Sequence, residues 1–310
     1  MVAVGIVLLP QDRWSLAKDR WRRAEAWGFD HAWTYDHLAW RTLADGPWFA
    51  TVPLLAAAAA VTERIALGTF VASPNFRHPV PFAKDVLGLD DVSGGRFVLG
   101  IGAGGEGFDA SVTGPAWSRG ERTRRYEEFV ALLDTLLTQP VTEFTGEFYE
   151  AHDARMHPGT VARPRTPFAM AAAGPRTMAL AARYGQGWVT YGPALGADET
   201  ADDPLAAQER WWAGLADTCA QVDAVEAAAG RDGSTLPRLR RYLSLDGAPL
   251  FSLSSLDLAV EGVERAAGLG FTDVVVHWPR PEGVYGGSEA VLEEFAERLP
   301  GLQALPVAAR

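Results

Sequence analysis

Cysteine is almost missing: Cys219 is the single one in 310 residues. No intrachain disulfide can form, and a reducing cytoplasm is the natural setting. Cys219 lies in an alanine-rich stretch of helical composition and reads as a small packing residue. A cationic surplus is missing too, since 28 Lys and Arg face 39 Asp and Glu, for a formal net charge of -11. That removes the usual source of nucleic-acid affinity, although a helix N-terminus or a single Arg can still hold an anionic ligand. Apolar runs of membrane-crossing length, roughly 20 residues, are absent. Val2–Leu9 stops at Pro10, lacks a basic leader and reads as a first strand, and Leu54–Val61 reads as a buried helix. Zinc-ligand spacing and a serine-nucleophile elbow are absent as well, and no metal is expected.

The chain has 48% hydrophobic and 22% charged residues, enough apolar material for one large core. Strand-like and helix-like segments alternate. Strands are expected at Val2–Leu9, Asp30–Thr34, Ile65–Val71, Arg96–Ile101, Phe168–Ala172, Gly187–Thr190, Leu239–Leu245 and Asp273–His277. Helices are expected at Ser15–Trp27, with Ser15 as N-cap and Gly28 as terminator, then at Trp48–Val61, Val80–Val92 and Glu121–Leu137. Four more are expected at Pro175–Tyr184, Pro204–Ala229, Asp257–Ala267 and Ser288–Arg298. Such alternation demands parallel strands joined by crossover helices. Eight pairs in this length favour a closed (β/α)8 barrel, as one domain over 1–310, against an open doubly wound sheet. Gln139–Arg165 breaks the rhythm and reads as a hairpin insertion, with Val141–Tyr149 turning at Thr145-Gly146. Gly192–Asp203 is long for a βα loop and reads as a lid or surface loop.

Function in such a barrel sits where strands end. Tyr35-Asp36-His37 follows the second strand, and a carboxylate beside an imidazole can set its charge and tautomer. Gly100-Ile101-Gly102-Ala103-Gly104-Gly105-Glu106 follows the fourth. Its glycines permit close backbone approach of a ligand, and Glu106 is either a proton donor or a solvated loop residue. Ala171-Ala172-Ala173-Gly174-Pro175-Arg176 opens a helix with small residues and proline, which suits a phosphate or reads as a simple helix entry. Trp188 and Thr190, Ser244 and Asp246, and His277 and Trp278 end the last three strands. Each is a pocket wall or a packing residue.

Several blocks in register carry a family resemblance. They are Tyr35-Asp36-His37, Thr62–Thr69, Arg77-His78-Pro79, Ser93–Phe97, Gly100–Gly104, Ala173–Thr177 and Ala181–Trp188. With them the chain resembles the luciferase-like monooxygenase superfamily, and within it the actinobacterial branch that uses coenzyme F420, a deazaflavin. The resemblance implies an F420-dependent oxidoreductase passing hydride between the deazaflavin and a small organic substrate. FMN is the alternative cofactor, in a flavin monooxygenase, and a non-catalytic flavin-binding protein is a third reading. The Asp36-His37 pair and the Gly174-Pro175-Arg176 block favour the deazaflavin. By resemblance, Asp36 and His37 lie beside the ring, with His37 near the reacting carbon. Phe70-Val71 falls where relatives carry a non-proline cis peptide under the ring, and Ser73, Gly102, Ala103, Gly104 and Ala172 are expected to bind the cofactor with it. Ala173, Gly174, Pro175 and Arg176 would receive the phosphate. Trp40 and Glu106 match a catalytic Trp and a proton-donating Glu, each with shifted spacing. Trp188, Asp246, His277 and Trp278 are expected to shape the substrate pocket. No basic cluster matches the sugar-phosphate site of relatives. The expected partners are a small-molecule substrate and a second copy in a homodimer, without nucleic acid or membrane.

Overall fold

The computed structural model describes residues 1–114, 116–196, 203–233 and 236–309. In chain order the elements are β1 (Ala3–Val7), α1 (Trp14–Ala26), β2 (His31–Thr34), α2 (Thr51–Ala59), β3 (Ala66–Thr69), α3 (Pro79–Val92), β4 (Phe97–Ile101) and α4 (Phe108–Ser111). Then come α5 (Arg119–Thr138), β5 (Val141–Thr145), β6 (Glu150–Arg155), β7 (Phe168–Ala171), α6 (Pro175–Tyr184) and β8 (Gly187–Thr190). The last are α7 (Pro204–Ala228), β9 (Arg240–Ser244), α8 (Leu256–Gly268), β10 (Asp273–His277) and α9 (Glu289–Gln303). The strand order β1-β10-β9-β8-β7-β4-β3-β2 closes into a barrel, and β5 and β6 form a separate two-stranded sheet. This is the expected (β/α)8 class and excludes the open sheet. No helix among the described residues is long and apolar enough to cross a membrane.

Two compact units make up the chain. The first comprises Met1–Leu8, Ala24–Ala32 and Ala172–Arg310. There β1 runs parallel to β10, from Ala3 opposite Asp273 to Val7 opposite His277. All five residues of β10 are buried, as the near-continuous apolar run of a covered parallel strand requires. Charges at the starts of these strands are matched locally. The Asp273 carboxylate pairs with His31 Nε2 at 3.1 Å, takes both arms of the Arg240 guanidinium, and accepts the Thr272 hydroxyl at 2.7 Å. Burial alone would raise this carboxyl group, but the bond from His31 and the charge of Arg240 prevail and hold it below its ordinary value. Arg241 is gripped by Glu226 and by Asp223. Cys219 is buried in α7 and forms no disulfide, where a packing residue is expected.

The second unit comprises Leu9–Arg23 and Trp33–Ala171. Its register sets Leu67 of β3 opposite Phe97 of β4, and Leu99 opposite Phe168 of β7. Helices α3 and α5 bury Phe82, Phe129, Leu132, Leu133 and Leu136. Arg96, one residue before β4, explains two of the sequence blocks. Its guanidinium donates to the carbonyls of Ala59, Thr62, Ile65 and Ser93 and to the Thr62 hydroxyl, at 2.8–3.1 Å. It thereby satisfies the open end of α2 and the turn into β3, a task that calls for a planar fork of five donors.

Some boundaries differ from expectation. Helix α1 begins at Trp14, so Ser15 lies in its first turn and does not cap it. The hairpin insertion is present, but Val141–Tyr149 spans only one strand and the turn. The second strand, β6, is polar and offered no apolar alternation. Its turn is held by Glu128, whose carboxylate accepts the N–H groups of Glu147, Phe148 and Tyr149 at 2.6–2.9 Å. The loop expected at Gly192–Asp203 lies, over 197–202, outside the described residues.

Replacing Arg96 with alanine leaves several carbonyls without their donor. With an unmet buried polar group costing about 1–3 kcal/mol, we expect Arg96→Ala to lower the unfolding free energy by roughly 3 kcal/mol or more. Urea titration followed by circular dichroism measures this, and a loss below roughly 1 kcal/mol would show that the clamp is not needed.

Candidate active site

The segment after β2 is fixed before its side chains act. The Thr51 hydroxyl donates to the Tyr35 carbonyl at 2.8 Å and Trp48 Nε1 to the His37 carbonyl at 2.9 Å. Asp36 and His37 then diverge. Asp36 is buried and takes Arg77 on both oxygens at 2.6 Å, while the guanidinium lies over the Phe82 ring. Arg77 also reaches Asp85 at 3.5 Å. Burial raises the Asp85 carboxyl group above its ordinary value, with Arg77 opposing the shift and the charge of Asp36 adding to it. The carboxylate beside the imidazole is therefore not Asp36. It is Asp109 of α4, which pairs with His37 Nδ1 at 2.5 Å and also accepts the N–H of Leu38 at 2.8 Å and of Ala39 at 3.4 Å. The Asp109 side chain is 5% exposed and that of His37 31%. Tyr35 meets His37 edge-on at 5.9 Å and packs against Trp40 at 5.2 Å. Trp40 is buried in that aromatic cluster.

Sequence reasoning missed Asp109. The stretch from Gly107 to Gly120 showed no clean helix start, and its one turn of helix is too short for periodicity to register. The available signal was Gly107-Phe108-Asp109, a glycine followed by a carboxylate within one turn.

Glu106 requires a correction. A dry setting at the ring edge was one expectation, but its side chain is 84% exposed and pairs with Arg122 at 3.3 Å. Gly105, inserted before it, is unhindered, and the loop leads Glu106 into solvent. The glycine motif also has a different physical reason than ligand approach. A Cβ at Gly100 would stand 1.8 Å from the Thr69 carbonyl oxygen, one at Gly102 3.0 Å from the Val71 side chain, and one at Gly104 2.6 Å from Asn75. The Phe70–Val71 peptide is cis, as expected at this position. Phe70 is buried against Trp33, Val71 is half-buried, and Ser73 is buried. Ala103 is half-buried in the loop after β4.

In the first unit, Ala172 is buried, while Ala173, Pro175 and Arg176 are exposed around half-buried Gly174 at the head of α6. The space where a Gly174 side chain would project is open. Gly174 caps the helix and Thr177 closes the turn, its hydroxyl donating to the Gly174 carbonyl at 3.0 Å. An open loop of small residues at the positive end of a ten-residue helix fits a phosphate group. Two expected pocket walls prove to be packing residues. Trp188 is fully buried, stacks on Phe271 and donates to the Ala172 carbonyl at 2.9 Å. Trp278 is buried, stacks on Trp27 at 5.3 Å and donates to Glu289. Asp246 and His277 come together as a closed pair: the carboxylate meets His277 Nδ1 at 2.8 Å and its N–H at 2.7 Å, and the ring stacks on Tyr285. Both side chains are almost wholly buried.

Comparison with known proteins agrees with this architecture. The sequence profile of the luciferase-like monooxygenases matches residues 4–244. An F420-dependent glucose-6-phosphate dehydrogenase of Intrasporangium calvum is 33% identical, over 91% of this chain and 93% of its own. A 4-hydroxyprotoasukamycin monooxygenase of Streptomyces nodosus subsp. asukaensis is 35% identical over 64% of this chain and 51% of its own. Among solved structures, the coenzyme F420-dependent tetrahydromethanopterin reductase of Methanopyrus kandleri superposes with a TM-score of 0.74 at 19% identity. That match covers 97% of this chain and 99% of the reductase, and at this identity it speaks for the fold.

Because Glu106 is solvated and, among the described residues, pairs with Arg122 alone, its charge has little leverage on a reaction away from the surface. Glu106→Gln is expected to leave kcat and its pH profile unchanged within about twofold, consistent with the small worth of exposed ion pairs. A tenfold or greater loss in steady-state turnover restores Glu106 as the proton donor.

Proposed function

Since the chain belongs to the luciferase-like monooxygenase family, we propose that it is an F420-dependent oxidoreductase acting on a small organic substrate. The observation that carries this is the likeness, over nearly the full length of both chains, to an F420-dependent dehydrogenase. The residues present fit the group. In the first unit, Ala173, Gly174, Pro175 and Arg176 offer an exposed loop to a phosphate. In the second, the half-buried Val71 and the partly exposed ring of His37 stand at the ends of β3 and β2, where a flat ring system would be met. When bound, the deazaflavin supplies a carbon that accepts or gives hydride. The chain itself has to orient the substrate, exclude water and hold one proton, a role we assign to His37. We further take the enzyme to work in a reducing cytoplasm as a homodimer.

The substrate reading follows from the surroundings of His37. Leu38, Phe108 and Val112 are exposed apolar side chains beside or on α4. This favours a substrate with an apolar body over a sugar phosphate. A second reading, an FMN-dependent monooxygenase, is favoured by the likeness to the 4-hydroxyprotoasukamycin enzyme.

Fluorescence titration of the purified protein separates the two cofactors. Tight deazaflavin binding with weak FMN binding is the expected result, and micromolar FMN affinity without deazaflavin binding overturns the proposal. In the same assay His37→Ala is expected to keep deazaflavin affinity within about threefold. It should slow single-turnover hydride transfer at least 100-fold, in the range of a lost general acid or base. An unchanged single-turnover rate removes His37 from the chemistry.

A further inference from the structure

We propose that Asp109 is the positioning residue of this site: it holds His37 as the Nδ1–H tautomer, so that Nε2 faces the substrate as a proton acceptor. Three nitrogens converge on this one carboxylate. Oδ1 accepts the N–H groups of Leu38 and Ala39, and Oδ2 meets His37 Nδ1 at 2.5 Å. A backbone N–H can only donate, and an ionised carboxylate can only accept. The contact to the ring is therefore satisfied when Nδ1 carries the hydrogen. The neutral imidazole then has its lone pair on Nε2. Among the described residues, Asp109 is the one hydrogen-bonding partner of the His37 side chain.

The same carboxylate binds the ring and the two peptide groups that follow it, so it sets both the direction and the tautomer of His37. Asp36, the adjacent carboxylate, is bound bidentately to Arg77 and is not available for this role. Asp109 reaches His37 across 72 positions of sequence because α4 returns the chain after the glycine motif.

The consequence for the reaction rests on the F420-dependent reading. A lone pair on Nε2 suits a substrate that gives up a proton, which is a hydroxyl compound. The hydroxyl proton would pass to Nε2, the bound deazaflavin would supply the acceptor for the carbon-bound hydrogen and its electron pair, and the product would be a carbonyl compound. The substrate would be oxidised and the cofactor reduced, each by two electrons. Phe108 and Leu38, the chain neighbours of Asp109 and His37, are exposed apolar groups and leave the hydroxyl few competing polar partners.

The tautomer is measurable without cofactor or substrate. In cofactor-free protein labelled with 15N-histidine, under conditions where the ring carries a single proton, the His37 signals are assigned by their loss in His37→Gln. Wild type is expected to show a protonated Nδ1 and a bare Nε2. In Asp109→Asn the amide oxygen still accepts the backbone N–H groups and its NH2 faces Nδ1, so the proton moves to Nε2. That variant is expected to lose about 10²–10⁴ in kcat, the scale known for a histidine held in the wrong tautomer. Its KM and deazaflavin affinity should stay within about threefold of wild type. A wild-type His37 protonated on Nε2 overturns the proposal even if the variant fails to fold. So does a folded Asp109→Asn that keeps the Nδ1–H form or the wild-type kcat. A tautomer that flips in a protein unable to bind deazaflavin supports the positioning role and overturns only the cofactor reading.

Discussion

In a closed parallel barrel no strand has a free edge, and an ion on or beside a strand persists only if the protein itself neutralises it. The starts of the strands follow this rule. Asp273 is paired with His31 and Arg240 and accepts the Thr272 hydroxyl, and Arg241 is paired with Glu226 and Asp223. Arg96 is spent on four carbonyls, and Asp90 on the N–H groups of Val161 and Ala162 and the Thr166 hydroxyl. Such pairs contribute order more than net stability, since each repays the cost of removing its members from water. Losing one member is expensive because the other is left unmatched.

The ends of the strands apply the same rule less completely. Asp36 with Arg77 is a closed, bidentate pair, and Asp246 with His277 is almost wholly buried. Among the described residues at the strand ends, only the His37–Asp109 pair has one member matched on one nitrogen while about a third of its side chain meets solvent. Closed pairs locate the chain, and under our proposal the half-closed pair retains a lone pair with which to do chemistry. By that criterion His37 is set apart from His277, although one follows β2, the other ends β10, and both pair through Nδ1 with an aspartate.

Strand–helix alternation was legible because the strands are covered on both faces and the helices are amphipathic, so composition alone separates them. The sequence blocks were legible as a set, but their physical reasons were not. Ser93–Phe97 and Thr62–Thr69 are joined by Arg96, a contact spanning 31–37 positions that no local pattern announces. The layer that a strand residue faces was also hidden. Trp278 follows the end of β10 and Trp188 lies second in β8, and their rings pack on Trp27 and Phe271. Asp109 escaped for both reasons at once: its helix is one turn long and its partner lies 72 residues away.

The glycine motif brings these observations together. Gly100 and Gly102 let the end of β4 lie against Thr69 and Val71, beside the cis peptide. Gly104 adopts φ +75 against the Asn75 side chain, whose amide donates to the Gly105 carbonyl at 3.3 Å. Gly107, at φ +122, then turns the chain into α4. Both backbone angles lie where a side chain is strongly disfavoured. The glycines thus route the chain away from β4 and back toward the end of β2, delivering Asp109 to His37. The motif therefore acts on the protein's own backbone, and under our proposal a link to chemistry runs through the carboxylate it places.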